Sequence, residues 1–170
     1  DTDRSRGLGD VYKRQRVETV FSMFCTVLFT ALICVKPQLI AIYTKDDTGG
    51  LNATPFFDVE RLQSYMVILF VFLVIQFGIF IWKYITGSWN LPLAIVNTIY
   101  NVAISILIIV MLSDQALLNT EFLSKIMQYT DGSAQTISTW MNTGKWGFVA
   151  VFVVISIWDS ISSIIKSLSR

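Results

Sequence analysis

Of the polar side chains inside the long apolar runs of this sequence, four are best placed to do chemistry. They are Gln76, Asn97, Asn101 and Asp159. A polar group surrounded by hydrocarbon is costly unless it pairs with another polar group. We therefore expect the three amides to face protein, and Asp159 to face either protein or interfacial water.

Asn97 and Asn101 lie four positions apart and would share one face of a helix. Gln76, near the middle of the preceding run, is their expected partner. One interpretation is hydrogen bonding between helices, which stabilises membrane bundles by about 0.6 kcal/mol per bond. The other is a polar path or a ligand pocket at the helix interface.

Asp159 is the only acidic residue inside a predicted membrane span other than Glu18 and Glu60, which lie at the very start of theirs. It lies roughly 20 Å along the last apolar run if that run is helical, and therefore nearer its exit than its middle. It is either an interfacial anchor, supported by a serine hydroxyl or Lys166, or a functional intramembrane acid. The serines at helical offsets from it are Ser156, Ser160 and Ser163.

The sequence lacks the usual signatures of catalytic and metal sites. There is no histidine, the commonest metal ligand and the usual general base. Cys25 and Cys34 are nine positions apart, on opposite faces of one helix, and cannot bridge each other there. No catalytic triad or nucleotide-binding motif occurs, and Gly49-Gly50 indicates a turn. We predict no enzyme activity, no cofactor, no metal site and, at a net charge of +1, no nucleic-acid binding.

Long apolar runs dominate the composition, which is 54% hydrophobic and 15% charged, against roughly a quarter charged in soluble domains. The runs cover about 17–36, 60–85, 91–112 and 146–166, and each approaches the twenty or so residues that cross a bilayer as a helix. The sequence predicts an all-α fold: an integral membrane bundle of four transmembrane helices within residues 16–170.

Shorter segments connect the predicted spans. The link Thr86–Asn90 is so tight that the helices 62–85 and 91–112 must pack antiparallel, at the centre of the fold. Asp58 is the expected N-cap of the second predicted helix, and Pro92 falls in the first turn of the third. We expect an interfacial turn at 38–43 and a loop at 45–55. Between the third and fourth spans, apolar residues at helical spacing predict a short amphipathic helix at about 120–129, followed by a mobile loop at 132–143.

The first fifteen residues differ from the rest. Asp1–Gln15 is polar and lacks apolar periodicity, and Ser5–Gln15 is similar to the in-frame translation of a sequencing-library adapter. We expect residues 1–15 to be an artefact and the natural N-terminus to be missing. Four spans would place both ends of the chain on one side of the membrane, but Lys and Arg are almost equally numerous on the two sides and barely orient it.

The membrane region resembles the C-terminal part of bacterial proteins that carry an N-terminal HAAS signalling domain. The segments that carry this resemblance are Val20–Ala31, Phe57–Tyr65, Thr86–Asn101, Ser113–Leu123 and Trp158–Ser162. In that family a cytoplasmic helical domain precedes the membrane part, often beside a PadR-like transcriptional regulator. The resemblance implies a cell-membrane location, cytoplasmic ends, and as partners the lipid bilayer, that absent domain and such a regulator.

The function expected from these observations is a non-catalytic sensory or regulatory membrane module. Two alternatives stay open: a small transporter or permease subunit with a polar path at the helix interface, and a structural membrane protein.

Overall fold

The computed structural model describes residues 17, 20–21, 23–28, 36, 39–45, 49–129 and 133–168. The predictions for residues 1–15 and for Cys34 lie outside these ranges. The described part is mostly helical, with one two-stranded hairpin. Its elements, in chain order, are β1 (Ala41–Lys45), β2 (Leu51–Pro55), α1 (Val59–Thr86), α2 (Leu91–Ser113), a 3-10 turn (Gln115–Leu117), α3 (Thr120–Tyr129) and α4 (Ala134–Leu168).

Three of these helices are long and apolar enough to cross a membrane. They are α1 with 28 residues, α2 with 23 and α4 with 35. At 1.5 Å per residue even α2 reaches about 34 Å, against a bilayer core of about 30 Å. Of the first predicted span, 17–36, the described residues between 17 and 28 are helical and most of the remainder lies outside the described ranges.

The ends of α1 and α2 follow from local capping chemistry. The Asp58 carboxylate accepts the backbone N–H of Arg61 at 2.8 Å, and the Asn90 side chain accepts that of Leu93 at 2.9 Å. These bonds satisfy amide groups that have no partner within the helix. Gly87 ends α1 with a φ of 67°, a left-handed conformation that favours glycine. The predicted N-cap at Asp58 and the first-turn position of Pro92 are confirmed.

The helix pairing differs from the prediction that α1 and α2 form the centre. These two helices do pack directly, through a small buried cluster of Ile79, Trp89, Leu93 and Ala94 beside their connecting turn. The more extensive interface, however, joins α2 to α4. The physical reason is hydrogen bonding, because the asparagines of α2 donate to Asp159 on α4 and not to a residue of α1.

The predicted loop at 45–55 is wrong, and so is the interfacial turn over 41–43. Residues 41–45 and 51–55 pair as an antiparallel hairpin, with Ala41 opposite Pro55 and Lys45 opposite Leu51. Cross-strand bonds satisfy backbone groups that a loop would leave to water. Gly49, which the sequence places in a turn, lies between the two strands with a φ of 79°.

A second correction concerns residues 134–143, which are the first turns of α4 and not part of a mobile loop. Ser133 begins the helix by accepting the Thr136 amide at 3.3 Å, and Ile137 is buried. Helix α3, by contrast, confirms the predicted amphipathic helix between the third and fourth predicted spans.

The hairpin, the 3-10 turn and α3 form a compact structure at the start of α1 and the end of α2, here called the cap (residues 41–45, 49–57 and 115–129). Phe57 bridges to Leu118, and the Asp58 amide donates to the carbonyl of Leu117 at 2.9 Å. Asn119 joins the cap's two halves, since its side chain donates to the Pro55 carbonyl at 3.1 Å and accepts the Glu121 amide at 2.9 Å.

Candidate functional site

One oxygen atom of Asp159 gathers both asparagines of α2. The Asn97 side-chain amide donates to Oδ2 of Asp159 at 2.7 Å, and the Asn101 amide donates to the same oxygen at 3.0 Å. Asn97 and Asn101 are one helical turn apart, which lets both amides converge on a single point of α4. We call Asn97, Asn101 and Asp159 the amide–carboxylate cluster.

Two serines of α4 extend the cluster. The Asn101 amide also lies 3.0 Å from Oγ of Ser160 and 3.3 Å from the carbonyl oxygen of Ser156. The Ser160 hydroxyl donates to that carbonyl at 2.8 Å, and both serines are buried. Ile164 packs near Leu93 and Ala94, Asp159 contacts Asn97, and Ser156 contacts Asn101, so α2 and α4 run antiparallel.

Asp159 lies nearer the end of α4 than its middle, and its partners on α2 lie in the first half of that helix. Asn97 and Asn101 follow the start of α2 by six and ten residues, or about 9 and 15 Å along the helix. Helix α4 continues for nine residues beyond Asp159, to Leu168. Among the described residues no serine hydroxyl and no lysine contacts the Asp159 carboxylate, so the α2 amides replace the support expected from serines or Lys166.

Gln76 does not join the cluster, contrary to the prediction that it partners Asn97 or Asn101. It lies on α1, and its Oε1 atom is buried without a hydrogen-bond partner among the described residues. The antiparallel fit of α2 onto α4 turns both asparagines away from it. Gln76 instead lines a cavity that the cluster also lines.

This cavity has a volume of about 600 Å³ and is lined by side chains of α1, α2 and α4 and by Thr26. Its polar end consists of the cluster and Gln76, and its walls are mainly aliphatic and aromatic. Ligand sites typically measure about 300–1,000 Å³ and combine such walls with a few convergent polar groups. The structure therefore brings all four sequence-predicted polar residues to one cavity, and three of them to one hydrogen-bonded cluster.

Sequence reasoning missed a second polar centre, at the cap. The Arg61 Nε donates to Oδ2 of Asp114 at 2.6 Å, and the Tyr65 hydroxyl donates to the same oxygen at 2.8 Å. The Arg61 guanidinium and then the Tyr65 hydroxyl hold the pKa of Asp114 below its ordinary value. The 53 positions between Arg61 and Asp114 give no local signal for this contact.

Two further features limit the chemistry available. Within the described ranges, no group of three or more His, Cys, Asp or Glu side chains could hold a metal ion. The Lys83 ammonium, which also lines the cavity, lies over the Trp89 ring at 4.5 Å from its centroid. The cluster can thus accept a hydrogen bond, hold a positive charge, exchange a proton, or hold α2 and α4 together.

Comparisons with known proteins reveal no relative. No family model, no curated protein and no solved structure matches this chain.

Proposed function

We propose that this chain is a non-catalytic sensory or regulatory module of a bacterial signalling protein, embedded in the cell membrane as a bundle of four spans. The observation that carries the proposal is the convergence of two α2 amides on one α4 carboxylate oxygen inside the spanning region. A change in the charge or occupancy of Asp159 acts directly on the interface between these helices, because hydrogen bonds to an ionised group are roughly twice as strong as neutral ones.

The two helices offer a route from the cluster to the cap. Helix α2 ends at Ser113, next to Asp114 and its contacts with Arg61 and Tyr65. Helix α4 extends without interruption from the amide–carboxylate cluster back to its first turns, which lie beside α3. An altered packing of α2 on α4 therefore reaches the cap as a displacement of helix ends. The resemblance to HAAS-containing proteins supports cytoplasmic chain ends, with a preceding signalling domain and a PadR-like regulator as partners.

The proposal is tested by the distance between spin labels on α2 and α4. Ser113 and Gly144 suit this measurement, because both are exposed and both lie twelve positions from the 101–156 contact. With the native cysteines replaced by serine, Asp159→Asn in nanodiscs is expected to shift or broaden the distance distribution. Glu60→Gln makes the same acid-to-amide change at an exposed site on α1 and is expected to leave it unchanged. Identical distributions for wild type and Asp159→Asn would remove the basis for a regulatory module.

A transporter or permease subunit is the second candidate, and the cavity favours it. A transported solute would need the polar end of the cavity to open to each side in turn. Uptake into proteoliposomes that depends on Asp159, with an unchanged distance distribution at rest, would favour this function over the first.

A further inference from the structure

We propose that the cavity binds an organic cation with an apolar body, whose protonated amine donates a hydrogen bond to Oδ1 of Asp159. This inference rests on the proposed function, because it names the chemical class of the signal that the module would receive. It depends on three features of the cavity: the state of the carboxylate, the nature of the walls and the available volume.

Only one of the two oxygen atoms of the Asp159 carboxylate accepts hydrogen bonds from the described residues. Its Oδ2 accepts two amide hydrogen bonds, whereas its Oδ1 accepts none from the described residues. An ionised carboxylate has about four acceptor sites, and one that is poorly paired at this depth is expensive. No Lys or Arg in the described ranges forms an ion pair with Asp159. The cluster therefore lacks a positive charge and a hydrogen-bond donor, and a protonated amine supplies both.

The walls match an apolar body. The cavity is lined by apolar side chains from all three helices: Phe80 of α1, Ile104 and Ile108 of α2, and Phe148 and Phe152 of α4. Aromatic rings also attract cations that approach their faces. A volume of about 600 Å³ exceeds the needs of an inorganic ion and accommodates an aryl-alkyl amine.

The negative charge of Asp159 disfavours other classes of ligand. The carboxylate repels anions, and the two asparagine amides that could donate to an anion already donate to Asp159. The basic side chain among the described lining residues, Lys83, is placed over the Trp89 ring at 4.5 Å from its centroid. A neutral amphiphile or a lipid chain would fill the walls but would leave Oδ1 without a donor. The test must therefore separate charge recognition from apolar binding.

The experiment uses the full chain in zwitterionic nanodiscs, with empty nanodiscs subtracted, and follows binding by isothermal titration calorimetry. The probe is 2-phenylethylammonium at pH 7, and the neutral comparison is 2-phenylethanol. Wild type is expected to bind the amine saturably and at least tenfold more tightly than the alcohol. Asp159→Asn is expected to lose this tenfold preference, whereas Glu60→Gln keeps it.

A second variant keeps the test valid if Asp159→Asn folds poorly. Ile104→Phe reduces the cavity volume and leaves the carboxylate in place, so it is expected to weaken amine binding at least several-fold. Absence of saturable binding to wild type, equal binding of amine and alcohol, or unchanged amine affinity in both variants would overturn the proposal. Equal binding of amine and alcohol would identify a merely apolar site.

The same samples separate this proposal from the proposed function. Amine binding that leaves the Ser113–Gly144 label distance unchanged supports the binding site and contradicts the regulatory role. A distance that responds to Asp159→Asn, with no amine binding to wild type, supports the regulatory role and contradicts the site.

Discussion

Asp159 shows how one acidic side chain is accommodated within a long apolar helix. Its charge is met by amides from a neighbouring helix and not by a basic residue, at least among the described residues. Amide donors stabilise the carboxylate without cancelling its charge. The side chain can therefore hold two helices together and still attract a cation.

The cluster leads to a prediction about unfolding. Asp159→Asn retains an oxygen acceptor for the two α2 amides and loses only the charge, so we expect a loss of about 1 kcal/mol in the free energy of unfolding. Asp159→Ala leaves both amides without that acceptor, and the expected loss is about 2–3 kcal/mol. Reversible unfolding in mixed detergent micelles measures both. Equal losses for the two variants would mean that the amides gain nothing from the Asp159 oxygen.

Asp114 leads to a prediction about pH. Its pKa is lowered in the folded protein, chiefly by the hydrogen bond from Arg61, so the unfolded state binds the proton more readily. The stabilisation is therefore complete above the ordinary pKa of about 4 and is lost as the pH falls through the lowered value. Asp114→Asn is expected to reduce the slope of stability against pH between about pH 5 and 3, as measured by thermal unfolding. An unchanged slope would show that the Arg61 pair does not stabilise the fold.

At the scale of elements, the turn between α1 and α2 depends on backbone conformation as much as on packing. Gly87 adopts a φ of 67°, and its N–H donates to the Lys83 carbonyl at 3.0 Å. The turn must be this tight because Asn90 already caps α2 three positions later. The buried cluster around Trp89 forms only if the chain reverses here.

Two glycines of α1 and its turn offer a matched comparison. Gly87→Ala forces a β-carbon into the left-handed region and is expected to cost about 1 kcal/mol of unfolding free energy. Gly78→Ala lies within α1, where an added Cβ meets no atom within 4 Å, and helix propensity predicts a neutral or stabilising effect of up to about 1 kcal/mol. Thermal unfolding of both variants in one detergent provides the measurement. A Gly87→Ala protein as stable as Gly78→Ala would contradict the role of the turn.

At the scale of the whole molecule, the three apolar helices form a bundle with two opposite ends. The cap, the start of α1 and the start of α4 lie at one end, and the α1–α2 turn and Leu168 lie at the other. The amide–carboxylate cluster lies closer to the second end. A ligand that reaches the cavity from that end crosses less of the apolar region.

This arrangement predicts which positions a membrane-impermeant reagent can reach. Single cysteines at Asn52 and Gln135, in a background without native cysteines, are expected to react from outside the cell. Those at Ile85 and Leu168 are expected to react only after permeabilisation, because we propose that the chain ends are cytoplasmic. All four positions are exposed. Reaction of Leu168 and Gln135 from the same side would contradict α4 as a spanning helix, and the reverse pattern would invert the topology.

Features that depend on neighbouring residues were predictable from the sequence. The three apolar helices, the N-cap residue Asp58 of α1, the position of Pro92 and helix α3 all follow from hydropathy, capping preference and periodicity within a few turns. The hairpin at 41–55 was missed although it is local, because short strands joined by glycines share their signals with loops. The start of α4 was missed because polar residues at 134–145 continue a helix beyond the apolar span.

Which side chains meet each other depended on the tertiary structure. Asn97 lies 62 positions from Asp159, and Arg61 lies 53 positions from Asp114. Over such sequence separations, hydrophobic periodicity does not predict which residues are in contact. The sequence showed that the amides need partners in hydrocarbon, and it suggested Gln76 as the nearest one along the chain. The antiparallel packing of α2 on α4 selected Asp159 instead, because a carboxylate is a stronger acceptor than an amide and because helix packing, not chain distance, brings groups together.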